Sequence, residues 1–162
     1  ASRAVSDAGI KPLILGDNLE GESRDVGKIH AETALQIQKT GNPLPPPVVI
    51  LSGGETSVTV KGSGRGGPNT EFTLSLLQEL RGQDGIWGIA CDTDGIDGTE
   101  DNAGAFISPE SFKKSEQLGL DPSVFLSNND SYSFFHELED LVSTGPTMTN
   151  VNDFRAVLVM PE

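Results

Sequence analysis

Three stretches of this sequence hold residue types that could do chemistry. The first is GSGRGG, residues 62–67. Glycines let a backbone approach an anion, amides at a following helix start can bind it, and Arg65 offers a planar fork to phosphate or carboxylate. The plainer use of the same residues is a turn with a solvated arginine. The second stretch is DTDGIDGTEDNAG, where Asp92, Asp94, Asp97 and Asp101 fall close together. They could offer hard oxygen ligands to Mg2+, neutralise an Arg or Lys, or bond nearby amides in a solvated turn. The spacing is not that of an EF-hand: counted from Asp92, Ile96 stands where an oxygen donor is needed and Asp97 where a glycine is needed. The third is TGPTMTNVND, residues 144–153, which suits either a polar small ligand or an ordinary polar connection.

Gly62, Gly64 and Gly67 also satisfy G-x-G-x-x-G, the bare dinucleotide fingerprint. Two features weaken it. The preceding run Thr56 to Lys61 alternates polar and apolar residues, whereas the first strand of such a unit is buried on both faces. Pro68 and Asn69 also separate the last glycine from the apolar helix pattern. Asn129, Asp130 and Ser131 could line a site, but capping a helix is the simpler use. His30 and His136 stand in helical patterns without companion ligands and read as packing or surface residues. No Ser-His-Asp or Cys-His arrangement is visible.

The elements that must position these loops alternate between strand and helix patterns. The opening SRAVSDAG reads as a helix tail closed at Gly9, so the chain is expected to be part of a longer protein. Pro12 to Gly16 is a predicted strand and Glu22 to Thr40 a predicted helix. Four prolines between Gly41 and Pro47 mark a long loop and the expected boundary between a segment 1–43 and a main domain 44–162. Val48 to Ser52 reads as a strand covered on both faces and Thr56 to Lys61 as a half-exposed one. Asn69 is the expected cap of a helix running to Arg81. Further strands are expected at Ile86 to Cys91, Ala105 to Ile107 and Arg155 to Met160, with helices at Pro109 to Leu118 and from Asp130 or Ser131 to Leu141. The pattern predicts an α/β fold: a mixed sheet flanked by helices, with a short β-α appendage at the amino end. The Asp loop then follows the carboxyl end of a buried strand, where open α/β sheets place ligands.

Composition narrows the function classes. The 162 residues hold 11 Lys and Arg against 24 Asp and Glu, a net charge of −13, which opposes gripping a nucleic-acid backbone. No run approaches the roughly 18 apolar residues of a membrane helix, so a soluble chain is expected. The single Cys91 cannot form an internal disulfide; a buried thiol in a reducing, cytoplasmic setting is the expectation.

Each loop alone is ambiguous, but their order is distinctive: LSGGETSV, GSGRGGPNTEF, DTDGIDGTEDNAGA, NNDSYSFF, then TGPTMTNVND before a last strand. Together they resemble the MOFRL domain of glycerate 2-kinases over Val48 to Pro161, and LGDNLEGESRDVGKIHA resembles the family's preceding segment. The resemblance implies transfer of phosphate from ATP to D-glycerate, giving 2-phosphoglycerate, with Mg2+, in a cleft shared with a larger amino-terminal Rossmann-like domain absent here. A lysine from that absent half is thought to act in catalysis, so this chain alone is expected to be nearly inactive.

By the same carry-over, Arg65 is the expected catalytic cation and Asp94 and Asp97 the metal ligands. Gly53, Gly54, Glu55, Gly64, Gly66, Gly67, Asn69 and Glu71 would contact nucleotide or substrate, with Glu55 a further candidate for metal or a substrate hydroxyl. Asn129, Asp130, Thr147, Thr149, Asn150 and Asn152 would form the cleft wall. The family's loop commonly reads GRGGRNQE; here Pro68 replaces its later arginine and Thr70 its glutamine. Members have also carried the name hydroxypyruvate reductase, which makes an NAD(P)-dependent oxidoreductase the rival reading. A noncatalytic binding domain is the third.

Overall fold

A computed structural model describes residues 1–161. The short helix α1 (Ser2–Asp7) leads into β1 (Lys11–Leu19), α2 (Ser23–Thr40) and β2 (Val48–Gly54). There follow α3 (Pro68–Leu80), β3 (Ile86–Asp92), β4 (Gly104–Ile107), α4 (Pro109–Leu118), α5 (Pro122–Ser127), α6 (Ser131–Leu138), β5 (Leu141–Val142) and β6 (Asp153–Val159). The strands form one six-stranded mixed sheet in the order β1-β2-β6-β3-β4-β5. β1 and β2 are parallel, and the closing strand β6 lies antiparallel between β2 and β3.

The expected α/β architecture is therefore present. Residues 1–43 share the sheet: β1 pairs with β2 across the proline loop, and α2 packs along α3. The predicted strand over Thr56 to Lys61 is not formed. That segment's backbone makes a single bridge, Ser57 to Glu22, and otherwise bonds to side chains: the Thr56 amide to Asp153, the Thr59 amide to Glu22 and the Lys61 amide to Asn129. The predicted cap is also displaced by two residues. Helix α3 begins at Pro68 with Gly67 as its N-cap, and Asn69 lies inside the first turn. The helix after Asp130 ends at Leu138, sooner than its periodicity suggested, and leaves the two-residue strand β5. Helix α5, capped by Asp121, had no clear apolar pattern.

Register sorts the core. Leu13, Ile50, Val157, Gly88 and Ile107 align across five strands on the face that carries α2 and α3. Phe72, Leu76, Phe134 and Phe135 fill the space above them and are fully buried. One row nearer the loops stand Ser52, Arg155, Ala90 and Ala105. The small neighbours leave room for Arg155, the largest fully buried side chain among the described residues. Its guanidinium pairs with Asp153, donates to Thr56 Oγ1 at 2.9 Å and lies 5.4 Å from the Phe72 ring centroid. His30 is also inside, with one ring nitrogen 2.7 Å from the Val26 carbonyl and the other 2.8 Å from Ser52 Oγ.

Removing one member of a buried pair strands the other, at a cost of about 3–5 kcal/mol. Arg155→Met should therefore lower the unfolding free energy in urea by about that amount. Adding Asp153→Asn should recover part of it, because the carboxylate left without its cation is then gone.

Candidate functional site

The loops that follow β2 and β3 and precede β6 meet at one end of the sheet, with the start of α3 among them. Asp97, on the loop after β3, is only 1 % exposed. Its Oδ1 accepts from the Asn69 amide at 2.8 Å and its Oδ2 from the Thr70 amide at 2.8 Å. A carboxylate from a distant loop thus occupies the free N–H groups of a helix start, where the helix dipole favours negative charge. Asn69 extends the link by donating through Nδ2 to Asp97 Oδ1 at 3.3 Å and to Asp153 Oδ1 at 2.7 Å. These bonds make Asp97 and Asn69 internal. The helix start that looked built for an external anion already holds one belonging to the chain, and Asp97 is committed there rather than turned towards a metal.

The glycine loop lies against the turn 128–132. Asn129 Oδ1 accepts from the amides of Lys61 at 2.8 Å and Gly62 at 3.0 Å. Asn128 Oδ1 accepts from Ser63 at 3.1 Å, and Asp130 Oδ1 from Arg65 at 2.9 Å. The glycines are required by this contact. A Cβ on Gly64 would stand 2.3 Å from Asp130 Cβ, and one on Gly67 would stand 2.5 Å from Asp97. Glu71 is likewise inward: Oε1 receives Arg24 Nη2 at 2.6 Å and Oε2 receives Asn129 Nδ2 at 3.0 Å. Thr70, which replaces the family's glutamine, receives the Gly67 amide at 3.0 Å and the Ser131 hydroxyl at 2.9 Å. Pro68 occupies the first helical turn, where its missing N–H costs nothing.

Arg65 alone in this loop turns a charged side chain outward. Its side chain is 56 % exposed and its guanidinium lies 4.7 Å from the Tyr132 ring centroid. Glu100 Oε2 is 3.6 Å from Nη1, and the Ser133 hydroxyl lies 3.4 Å from Nη2. The guanidinium rests over the Tyr132 ring while more than half of the side chain stays exposed.

A second group forms where the loop after β3 meets the one before β6. The Thr147 amide donates to the Asp94 carbonyl at 2.9 Å, and Asn150 Nδ2 to Asp94 Oδ2 at 3.3 Å. Thr93 donates its hydroxyl to the Asn152 carbonyl at 2.7 Å and accepts from the Val151 amide at 2.9 Å. Asp94 Oδ1 accepts from the Ile96 amide at 2.9 Å. Thr147, Thr149, Asn150 and Asn152 are exposed at this seam. Gly53 and Gly54 end β2 beside it, with Gly54 buried against Leu19, and Glu55 is exposed just beyond. The loop after β3 spans both groups, since Glu100 meets Arg65 and Asp94 meets Asn150. Among the described residues no set of three His, Cys, Asp or Glu side chains forms a ready metal site.

Sequence reasoning missed Arg155 and Asp153, which lie directly beneath these loops. The signal was an arginine at an inward register of an otherwise apolar strand, two residues after an aspartate. Cys91 is half-buried, and burial, aided by Asp97 and Asp92, pushes its thiol up to about 12, far from a reactive thiolate.

The model of the MOFRL family matches residues 48–153, the span that contains every one of these loops. The chain belongs to the MOFRL family. It is 54 % identical over 161 residues to a protein of Agrobacterium vitis named putative hydroxypyruvate reductase, covering 98 % of this chain and 37 % of that one. It is 37 % identical over 159 residues to a glycerate 2-kinase of Pyrococcus horikoshii, covering 98 % of this chain and 36 % of that one. The crystal structure of glycerate kinase from Thermotoga maritima superposes with a TM-score of 0.95 at 36 % identity, over 98 % of this chain and 38 % of that one. The chain thus spans little more than a third of the length of these relatives. Among its described residues no helix is long and apolar enough to cross a membrane.

Two buried titrations oppose each other. Burial raises Asp97 to about 6, against the bonds from Asn69 and Thr70, and burial lowers His30 to about 4. A carboxylic acid that holds its proton better when folded takes stability away as pH rises from its unfolded range near 4 to about 6. A histidine that holds its proton worse when folded adds stability as pH rises from about 4 to its unfolded value near 6.5. Asp97→Asn removes the first effect only. Between pH 4 and 6.5 its thermal midpoint should climb with pH more steeply than that of the native chain.

Proposed function

We propose that this chain is the part of a glycerate 2-kinase that closes over the transferring phosphate, acting with the remainder of a longer protein. Its substrates are ATP and D-glycerate, and its products are ADP and 2-phosphoglycerate. In the reaction the 2-hydroxyl oxygen of glycerate attacks the γ-phosphorus, the bond to the β,γ-bridging oxygen breaks, and ADP leaves with that electron pair. The hydroxyl proton passes to a base supplied by the rest of the protein. The observation that carries the reading is Arg65: an accessible guanidinium over Tyr132, in a loop whose amides at Gly62, Ser63, Gly64, Arg65 and Gly67 bond within the chain. Such a group acts by meeting the charge that spreads over the phosphoryl oxygens.

The seam of Asp94, Thr147, Thr149, Asn150 and Asn152 is the proposed wall for the polar substrate, with Glu55 beside it. Mg2+, when bound, would neutralise phosphate charge. Asp94 suits it as the single carboxylate often asked of a protein when phosphate oxygens and water supply the other ligands. Asp97, engaged at the helix start, does not. In this reading the residues Asn69, Glu71, Asn129 and Asp130 shape the loop rather than touch ligand.

The hydroxypyruvate reductase reading draws no support from the glycine loop. Among the described residues no strand runs directly into it, since β2 ends at Gly54, and the Asn69 and Thr70 amides that would hold a pyrophosphate bond to Asp97.

The longer protein should phosphorylate D-glycerate with Mg-ATP, and this chain alone should not. In the longer protein, Arg65→Ala should lower kcat by about 100- to 1,000-fold, the usual scale for removing a group that meets transition-state charge. Turnover and KM left unchanged by Arg65→Ala would remove the anion-contact role. NADPH-dependent reduction of hydroxypyruvate in place of phosphorylation would overturn the kinase reading.

A further inference from the structure

The sheet has two apolar faces and the helices α2 to α6 gather on one of them. On the other, register lines up Ile14, Leu51, Ala156, Ile89 and Phe106 in a row across five strands. A parallel row runs through Val49, Leu158 and Trp87. Val49 and Leu51 are shielded by their neighbours, but Ile14 is 60 %, Trp87 39 % and Phe106 38 % exposed. Two hollows of about 320 and 340 Å³ lie along this face. Among the described strands only β1 and β2 pair in parallel, and an antiparallel sheet can leave one face to water, but such a face is normally polar; an apolar one marks a contact site.

Helix α1 indicates what covers it. It has six residues, none buried, and it packs on β1. A helix so short does not persist by itself in water. Ala1 and Ser2 line the first hollow together with Ile14, Leu51 and Phe154. The amino end of α1 therefore lies at the edge of the open face. In the longer relatives more than half of the chain lies outside the matched segment. A second copy fits less well, because each carries a net charge of −13 and like charge opposes close association.

We propose that the open face is the docking surface for a helical layer formed by the rest of the longer protein, seated on the row from Ile14 to Phe106 and continuing α1. This rests on the longer-chain reading and not on the reaction assigned to it. The layer would arrive beside Gly53, Thr93 and Val151, which line the rim of the first hollow next to the candidate site.

The test uses the longer protein carrying Phe106→Glu or Trp87→Glu. Each should lower the thermal midpoint by about 5 °C or more while the mass by sedimentation stays that of the unmodified protein. A midpoint within about 1 °C of the native one would show a face open to water and overturn the proposal. Conversion of a dimer to a monomer would assign the face to a second copy and overturn it equally.

Should both variants fail to fold, the longer protein with Trp87 intact and any other tryptophan replaced by phenylalanine still decides. Acrylamide quenching at least fivefold weaker than in the guanidinium-unfolded protein, unchanged on dilution through any dimer-to-monomer transition, supports the layer. Strong quenching, or shielding lost on dilution, overturns it. Glycerate kinase activity measured on the same sample separates the two readings: a shielded Trp87 in a protein without kinase activity would sink the reaction and leave the docking surface standing.

Discussion

The carboxylate of Asp97 at the start of α3 is the contact on which the loop end of this molecule depends. It receives two backbone amides from the helix, and through Asn69 it is tied to Asp153, which pairs with Arg155 beneath the sheet's last polar row. Four segments meet in that chain of bonds: the loop after β3, the start of α3, the start of β6 and, through Thr56, the loop after β2. A buried polar network of this kind has few arrangements of similar energy, because a bond lost inside is not replaced by water, and Asn69 Oδ1 and Arg155 Nε and Nη1 already lack a partner among the described residues. Its members are therefore held to one arrangement, and the outer parts of the same loops inherit that arrangement. Arg65 and Asp94 are surface residues, but the backbone that carries them is anchored to a buried one.

This explains why so many residues of ligand-binding type turned out to be internal. Asn129, Asp130, Asn69 and Glu71 have the side chains a polar ligand would want, but Asn129 and Asp130 accept from backbone amides of the glycine loop, while Asn69 and Glu71 bond to the side chains of Asp153, Arg24 and Asn129. The glycines serve the same end, since Gly64 and Gly67 allow backbone and carboxylate to come within distances a Cβ would forbid. What remains facing outward is a smaller set: the Arg65 guanidinium, the carboxylates of Asp94 and Glu55, and the hydroxyl and amide groups of the seam. For a reaction in which a protein mainly positions charge, a small outward set on a rigid base is sufficient.

The strands and long helices were legible because their signals are local. Val48 to Ser52 reads as buried on both faces and is so, and the proline and glycine limits of α4 fall where expected. The order of the loops was also sufficient to indicate the family. The failures share a cause. The alternation in Thr56 to Lys61 is a valid strand pattern, but a strand needs a partner edge and none lies there. Asn69 is a good N-cap by type, yet the cap was supplied from Asp97, and nothing in the local sequence announces a partner 28 residues away. Arg155 was hidden in the same way, because an arginine in a strand reads as an outward residue until the small side chains of Ser52 and Ala90 are seen to make room for it.

The same reasoning separates the two surfaces of the molecule. On the loop end, polar residues are abundant and most are consumed internally, so exposure there, not residue type, picks out the groups that can act on a ligand. On the sheet, apolar residues are abundant on both faces, and exposure again is the discriminating observation, because one face is packed under helices while Trp87 and Phe106 stand half-bare on the other. The two meet at the hollow lined by Gly53, Thr93, Val151 and Leu51, where the polar seam passes into the apolar face. A layer seated on that face would bury its own apolar side against the sheet and present its edge to the seam. One apolar contact would then both complete the fold and bring the remaining chemical groups within reach of Arg65 and Asp94, so that assembly of the core and assembly of the cleft are a single event.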